Sequence, residues 1–213
     1  MSNDVSFIHR YEPGKRRGAP PLLLLHGTGG DENDLLQLGE MVSPGSALLS
    51  PRGKVLEHGM PRFFRRLAEG VFDEVDVRQR ANELADFVET ARAHYGIGRP
   101  VALGYSNGAN IAAAMLLLRP QVLAGAILLR AMTPLTRVET VGDHVGKGVL
   151  IVSGAHDPIA PPANAARLKA MLEAAGARVD HRVLAEGHEL SQADVRLARQ
   201  WLRAQKAAIA TAP

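Results

Sequence analysis

The stretch Val101-Ala102-Leu103-Gly104-Tyr105-Ser106-Asn107-Gly108-Ala109-Asn110-Ile111-Ala112 decides how this chain is read. Pro100 starts a short apolar run of strand length. From Ala109 to Leu118 the sequence is apolar nearly all round, the pattern of a buried helix. Between the two, Gly104-Tyr105-Ser106-Asn107-Gly108 matches G-x-S-x-G, a strand-turn-helix with a serine at the apex of a sharp turn. So tight a turn leaves no room for a side chain two residues before or after the serine, and glycine has no Cβ to clash there. The serine hydroxyl then stands at a helix N-terminus, where the backbone dipole favours developing negative charge. A Gly-rich turn with Ser106 as a plain N-cap would look the same, so the rest of the chain must supply partners.

Outward from this stretch, short apolar runs alternate with helical patterns, which argues for a mostly parallel sheet with helices on both faces. The runs are Leu22-Leu23-Leu24-Leu25, Ala47-Leu48-Leu49, Ala126-Ile127-Leu128-Leu129 and Val149-Leu150-Ile151-Val152, with a last strand expected from Arg178 to Leu184. Residues Ser6 to Tyr11 read as an N-terminal edge strand. Leu84, Phe87, Val88, Ala91 and Tyr95 share one helical face that stops at Gly96. Leu168, Met171, Leu172 and Ala175 repeat the pattern before Gly176, and Val195, Ala198, Trp201 and Leu202 form a C-terminal stripe. About 25 residues, from Arg52 to Asp76, break the rhythm; loops of that length in compact domains are functional or disordered. Phe63, Phe64, Leu67 and Phe72 make this one too apolar for disorder. It reads equally as a pocket wall or as a short helix packed on the core edge.

Composition narrows the function. The chain has 213 residues, 46% hydrophobic and 22% charged, which fits one globular domain spanning 1–213. It has no cysteine, which removes disulfides, thiolate metal sites and a cysteine nucleophile together. Its eight histidines show no H-E-x-x-H or comparable spacing, so neither a metal nor another cofactor is expected. The net charge is +3, and Lys15-Arg16-Arg17 lacks the charge and the aromatic partners of a nucleic-acid arm. No apolar run has the length of a signal peptide or membrane span, so a cytoplasmic protein without membrane insertion is expected.

A serine needs a base to take its proton, and the base needs an orienting acid. In a strand-turn-helix setting of this kind the order along the chain is serine, acid, histidine. Asp157 follows the Val149–Val152 strand in Ser153-Gly154-Ala155-His156-Asp157-Pro158, and His188 follows the last strand in Ala185-Glu186-Gly187-His188-Glu189. Both fall at carboxyl ends of strands, the edge where open α/β sheets bind ligands. Rival partners are His156, the pair Asp143 and His144, the pair Asp180 and His181, and Glu186. An oxyanion would need preorganised N–H donors. The amide of Asn107 is one candidate, and the amide of Thr28 in His26-Gly27-Thr28-Gly29-Gly30 is the other. That loop lacks the lysine of a P-loop and the spacing of a dinucleotide fingerprint.

Leu25-His26-Gly27-Thr28-Gly29-Gly30-Asp31-Glu32, Gly104-Tyr105-Ser106-Asn107-Gly108-Ala109-Asn110, Gly154-Ala155-His156-Asp157-Pro158 and Gly187-His188, in that order, resemble the bacterial carboxylesterase/phospholipase family of α/β-hydrolases. That family includes acyl-protein thioesterases and small hydrolases linked to quinone stress. The resemblance runs from about Leu22 to Leu202. It implies an α/β-hydrolase fold, a triad of Ser106, Asp157 and His188 with oxyanion donors at Thr28 and Asn107, and cofactor-free hydrolysis of small carboxylic esters, often by homodimers. The acyl-protein thioesterase branch usually carries Ser-Gly after the strand that follows the elbow helix. Here Leu129-Arg130-Ala131-Met132 stands in its place, with Arg130 near the substrate side, which puts the chain closer to the quinone-stress branch. Fewer than 20 residues separate Leu129 from Val149, so no cap domain fits where larger esterases insert one. The expected pocket is shallow and open, walled by the 52–76 segment with Phe63 and Phe64 and by Met132 to Leu135. Short-chain esters are the expected substrates. A thioesterase or lysophospholipase using the same triad is the nearest alternative, and a catalytically silent binding protein a more distant one.

Overall fold

The structure, a computed structural model, describes residues 7–138 and 146–210, with side chains described through residue 205. In chain order the elements are β1 (His9–Glu12), β2 (Leu22–Leu25), α1 (Leu36–Val42), β3 (Leu48–Pro51), β4 (Val55–Glu57), β5 (Met60–Arg62), β6 (Arg66–Ala68) and β7 (Val71–Phe72). There follow α2 (Glu74–Tyr95), β8 (Val101–Tyr105), α3 (Asn107–Leu118), β9 (Gly125–Leu129), β10 (Gly148–Gly154), α4 (Pro162–Ala174), β11 (Arg178–Leu184) and α5 (Gln192–Ala210).

Seven strands form the central sheet in the order β1-β3-β2-β8-β9-β10-β11. All neighbours pair in parallel except β1, which runs antiparallel to β3 at the edge. Alternation within each strand divides the core in two. Leu23, Leu25, Ala102, Leu128 and Ile151 pack on one face with α2, α3 and α4. Leu22, Leu24, Leu103, Ile127 and Val152 pack on the other with α1 and α5. Burial on both faces explains why β2 could be four leucines in a row, all fully buried. Each contributes on the order of 2 kcal/mol of hydrophobic stabilisation.

The helix stops fall where the sequence puts them. Gly96 takes φ +64 after α2, in the left-handed region a glycine enters without penalty. At the other end of α2 the Asp73 carboxylate caps the Asp76 amide. The edge strand is β1, shorter than the Ser6 to Tyr11 expectation; Ser6 lies outside the described residues.

Two parts of the sequence reading need correction. Helix α1 was not anticipated, although Leu35, Leu38 and Val42 carry its buried stripe. The 52–76 segment holds no short helix before α2. It folds into two small antiparallel hairpins, β4–β5 and β6–β7, with Leu56 and Leu67 pointing to solvent.

Because β2, β8, β9, β10 and β11 are parallel, their carboxyl ends emerge along one edge of the sheet. His26-Gly27-Thr28, Ser106, Arg130, Asp157 and His188 follow those five ends directly or after a short turn. This topology alone gathers the sequence-distant candidate residues.

Candidate active site

The turn at Ser106 has φ +52 and ψ −115, a conformation that costs a non-glycine residue on the order of 1–3 kcal/mol. Its surroundings leave the chain no alternative. A Cβ on Gly104 would lie 2.6 Å from the Gly108 carbonyl oxygen, and one on Gly108 would lie 1.9 Å from the Leu25 carbonyl oxygen. The Ser106 amide is tied to the Leu129 carbonyl at 2.9 Å, so the apex is braced from β9.

Ser106 Oγ lies 3.0 Å from His188 Nε2, and His188 Nδ1 lies 2.8 Å from Asp157 Oδ2. The Asp157 side chain is fully buried. Its other oxygen, Oδ1, accepts the amides of Ile159 at 2.8 Å and Ala160 at 2.9 Å, which fix the carboxylate in its turn. Nδ1 thus faces the carboxylate and Nε2 faces the hydroxyl. None of the rival residues among those described joins this chain. His181 of β11 bonds Ser153 Oγ of neighbouring β10 at 2.9 Å, and Asp180 pairs with Arg182 along β11. The Glu186 carbonyl takes the His156 amide at 2.9 Å. Asp143 and His144 lie outside the described residues.

The loop after β2 is held from several sides. The Gly30 amide closes on the Gly27 carbonyl at 3.2 Å, Gly29 takes φ +85, and the Gly29 amide bonds the Pro61 carbonyl at 3.0 Å. Arg62 Nη1 donates to Thr28 Oγ1 at 2.9 Å. His26 is buried, its Nδ1–H given to the Gly27 carbonyl at 2.6 Å and its Nε2 accepting the Gly53 amide at 3.0 Å. Burial holds the His26 imidazole below its usual pKa, which keeps that acceptor unprotonated. Thr28 and Asn107 both border the cavity over Ser106. Asn107 opens α3, where first-turn amides have no intrahelical acceptor.

The cavity measures about 340 Å³. Ser106 and His188 lie on its lining, with Phe72, Met132, Ile159 and Ala160 as the apolar part. Arg62, Arg66 and Glu69 come with Phe72 from the 52–76 segment, so that segment does form a wall, but a largely charged one. Arg66 bonds Glu57 at 3.0 Å and also pairs with Glu69, while Arg62 meets Glu57 at 3.1 Å. Of the four residues named for that wall, Phe63, Phe64, Met132 and Leu135, only Met132 borders the cavity. Phe63 and Phe64 turn inward to the core, where Phe64 packs edge-on against Phe72, and Leu135 is buried with them. Segment 63–64 joins the two hairpins, and the Phe63 amide donates to Asn107 Oδ1 at 2.8 Å, which holds this stretch against the start of α3.

Sequence reasoning missed Tyr105, Asn110 and the charged group Glu57, Arg62, Arg66 and Glu69. Tyr105 is the variable position of the motif, and burial raises its phenol pKa. Asn110 stands one turn into α3, where its Oδ1 takes the Met132 amide at 2.7 Å. Neither carries a sequence signal beyond its neighbourhood to Ser106. Among the described residues no cluster of three or more His, Cys, Asp or Glu side chains could hold a metal ion. No helix among them is long and apolar enough to cross a membrane.

Sheet order, elbow and the edge-gathered side chains define an α/β-hydrolase. Residues 50–146 match the family model described as alpha/beta hydrolase fold. The chain is 46% identical over 197 residues to the "Putative hydrolase MhqD" of Bacillus subtilis (strain 168), covering 92% of this chain and 97% of that protein. The crystal structure of a Bacillus cereus carboxylesterase superposes with a TM-score of 0.91 at 44% identity, over 96% of this chain and 99% of that one. A Mesorhizobium loti carboxylesterase superposes with a TM-score of 0.88 at 32% identity, over 95% and 97%. The chain belongs to the bacterial carboxylesterase family of α/β-hydrolases.

Proposed function

We propose that the protein is a cytoplasmic serine carboxylesterase that hydrolyses small esters through an acyl-enzyme on Ser106. The observation that carries this reading is the unbroken chain from Ser106 Oγ to His188 at 3.0 Å and from His188 to buried Asp157 at 2.8 Å. In the first half-reaction His188 Nε2 takes the Ser106 proton as Oγ attacks the ester carbonyl. The amides of Thr28 and Asn107 stabilise the oxyanion, each worth about 3 kcal/mol in comparable sites. His188 then gives the proton to the leaving alcohol, and water repeats the sequence on the acyl-enzyme. Asp157 stays ionised and stabilises the imidazolium.

A cavity near the small end of ligand pockets, which run from roughly 300 to 1,000 Å³, favours small substrates. The paired charges of Arg62, Arg66 and Glu69 on its lining disfavour a long alkyl chain lying against that wall. Esterase activity toward p-nitrophenyl acetate should fall by at least about 10³-fold in Ser106→Ala. The wild-type serine should be labelled by a fluorophosphonate, and kcat/KM should drop as the acyl chain lengthens. Full activity in Ser106→Ala would overturn the acyl-enzyme reading. A preference for long-chain thioesters or lysophospholipids over short oxygen esters would overturn the substrate class and leave the chemistry intact.

A further inference from the structure

We infer that Arg130 is a positioning residue that sets the imidazole of His188 by gripping the main chain on both sides of it. This rests on the triad reading above. Arg130 follows β9 and is 1% exposed, with φ +57, a left-handed conformation that a non-glycine side chain adopts at a cost. Its amide is bound to the Val152 carbonyl at 2.8 Å, and its side chain reaches under the loop after β11. There Nε donates to the Gly187 carbonyl at 2.8 Å and Nη2 to the Glu189 carbonyl at 3.0 Å. The carbonyl between them, that of His188 itself, accepts the Tyr105 hydroxyl at 3.2 Å. Three consecutive carbonyls centred on the proposed base are thus held by the residue before the nucleophile and by the residue after β9.

The rest of the guanidinium is committed as well. Nη1 donates to Asp194 Oδ1 at 2.7 Å and to the Val152 carbonyl at 3.4 Å, and Nη2 donates to Asp194 Oδ2 at 3.1 Å. Asp194 is fully buried and also takes the Ser191 amide at 2.8 Å, which ties the same loop to the start of α5. A guanidinium carries five N–H groups, and the protein uses all of them. Arg130 borders the cavity but has no donor left for a substrate.

The chemistry of the pair points the same way. A buried ion pair gives no stability that well-packed apolar side chains could not match. What apolar residues cannot do is bind two carbonyls in a fixed fork, and lysine, with a single point charge, cannot do it either. Displacing a reacting group by about 1 Å costs on the order of 10²-fold in rate, so a histidine carried on a loop gains most from such a grip.

The test compares the full-length wild type with Arg130→Lys and Asp194→Asn, assayed on a short-chain ester well below each variant's melting temperature. Arg130→Lys should lower kcat by about 10- to 100-fold with KM little changed. The downfield proton resonance of the His188–Asp157 hydrogen bond should broaden or vanish while the remaining spectrum stays folded. Asp194→Asn should show the same pattern more weakly. Wild-type kcat in a folded Arg130→Lys, or a rise in KM alone, overturns the inference; if that variant does not fold, the same criteria apply to Asp194→Asn. Failure of both to fold marks the contact as structural and overturns it too. Ser106→Ala separates the two readings. If it stays fully active, the triad itself fails. If it is inactive while both gripping variants keep wild-type kcat, only the positioning role fails.

Discussion

The two sides of the candidate active-site cavity are built in opposite ways. On one side the elbow at the end of β8 is held by main-chain geometry, with a strained serine between glycines that admit no Cβ. On the other side the 52–76 segment is two short hairpins held by side chains, with Leu56 70% and Leu67 72% exposed. The elbow has no freedom because its neighbours are backbone atoms of β2 and α3. The hairpins rest on ion pairs among Glu57, buried Arg62, Arg66 and Glu69, of which the partly exposed pairs of Arg66 contribute little each. Ser106 therefore sits on the rigid side, and the charged wall of the cavity sits on the side most tolerant of change.

The largest effect should come from the elbow. Gly108→Ala would drive a Cβ to 1.9 Å from the Leu25 carbonyl oxygen and must displace β2 or α3. We expect a loss of more than about 4 kcal/mol, the range of severe core strain, or no folded protein at all, read by chemical denaturation. A variant with wild-type stability and activity would show that the turn is more yielding than its contacts indicate.

An intermediate effect should come from the contact that joins the two sides. His26, after β2, accepts the Gly53 amide at the start of the 52–76 segment. Burial lowers the folded-state pKa below the 6.5 of a free imidazole. The unfolded chain then binds more protons than the folded one between those two values, so stability falls as pH drops below 6.5 through the folded value and is fully present above 6.5. His26→Ala would leave the Gly53 amide unpaired at a cost of about 1–3 kcal/mol. Melting temperature followed from pH 8 to about pH 5 should decline in the wild type and decline less in the variant. His181, whose pKa burial also lowers, adds a slope that the variant retains. Parallel curves would remove His26 from the account.

The smallest effect should come from the exposed face of β6. Leu67→Ser exchanges an exposed side chain and should change stability by less than about 0.5 kcal/mol, with kcat/KM on a short ester within twofold or so of wild type. A large loss of activity would mean that β6 closes over the substrate and that the second wall is less passive than its exposure suggests.

How legible these regions were in the sequence follows the same division. The elbow could be read because Gly104, Ser106 and Gly108 answer steric demands made within five consecutive residues, and the strand and helix around them announce themselves by burial pattern. Asp157 and His188 could be placed because each follows, after a short turn, a strand that the sheet receives in parallel. The hairpins could not be read. Their strands are two or three residues long, too short for an alternation to register, and their ties to Thr28 and Asn107 span the chain. Phe63 and Phe64 were rightly read as too apolar for disorder. Whether such side chains face a pocket or the core depends on the backbone direction set by the Asn107 contact.

The alternation of the central-sheet strands with α2 to α5, the elbow and the three side chains brought to its edge were determined by local chemistry: small residues where a turn is sharp, apolar residues where both faces are covered. Tertiary structure alone decided which side chains line the cavity, and that the guanidinium of Arg130 lies beneath the His188 loop rather than in the substrate space. Those outcomes depend on hydrogen-bond acceptors such as the Gly187 and Glu189 carbonyls, which every residue carries and no sequence pattern marks.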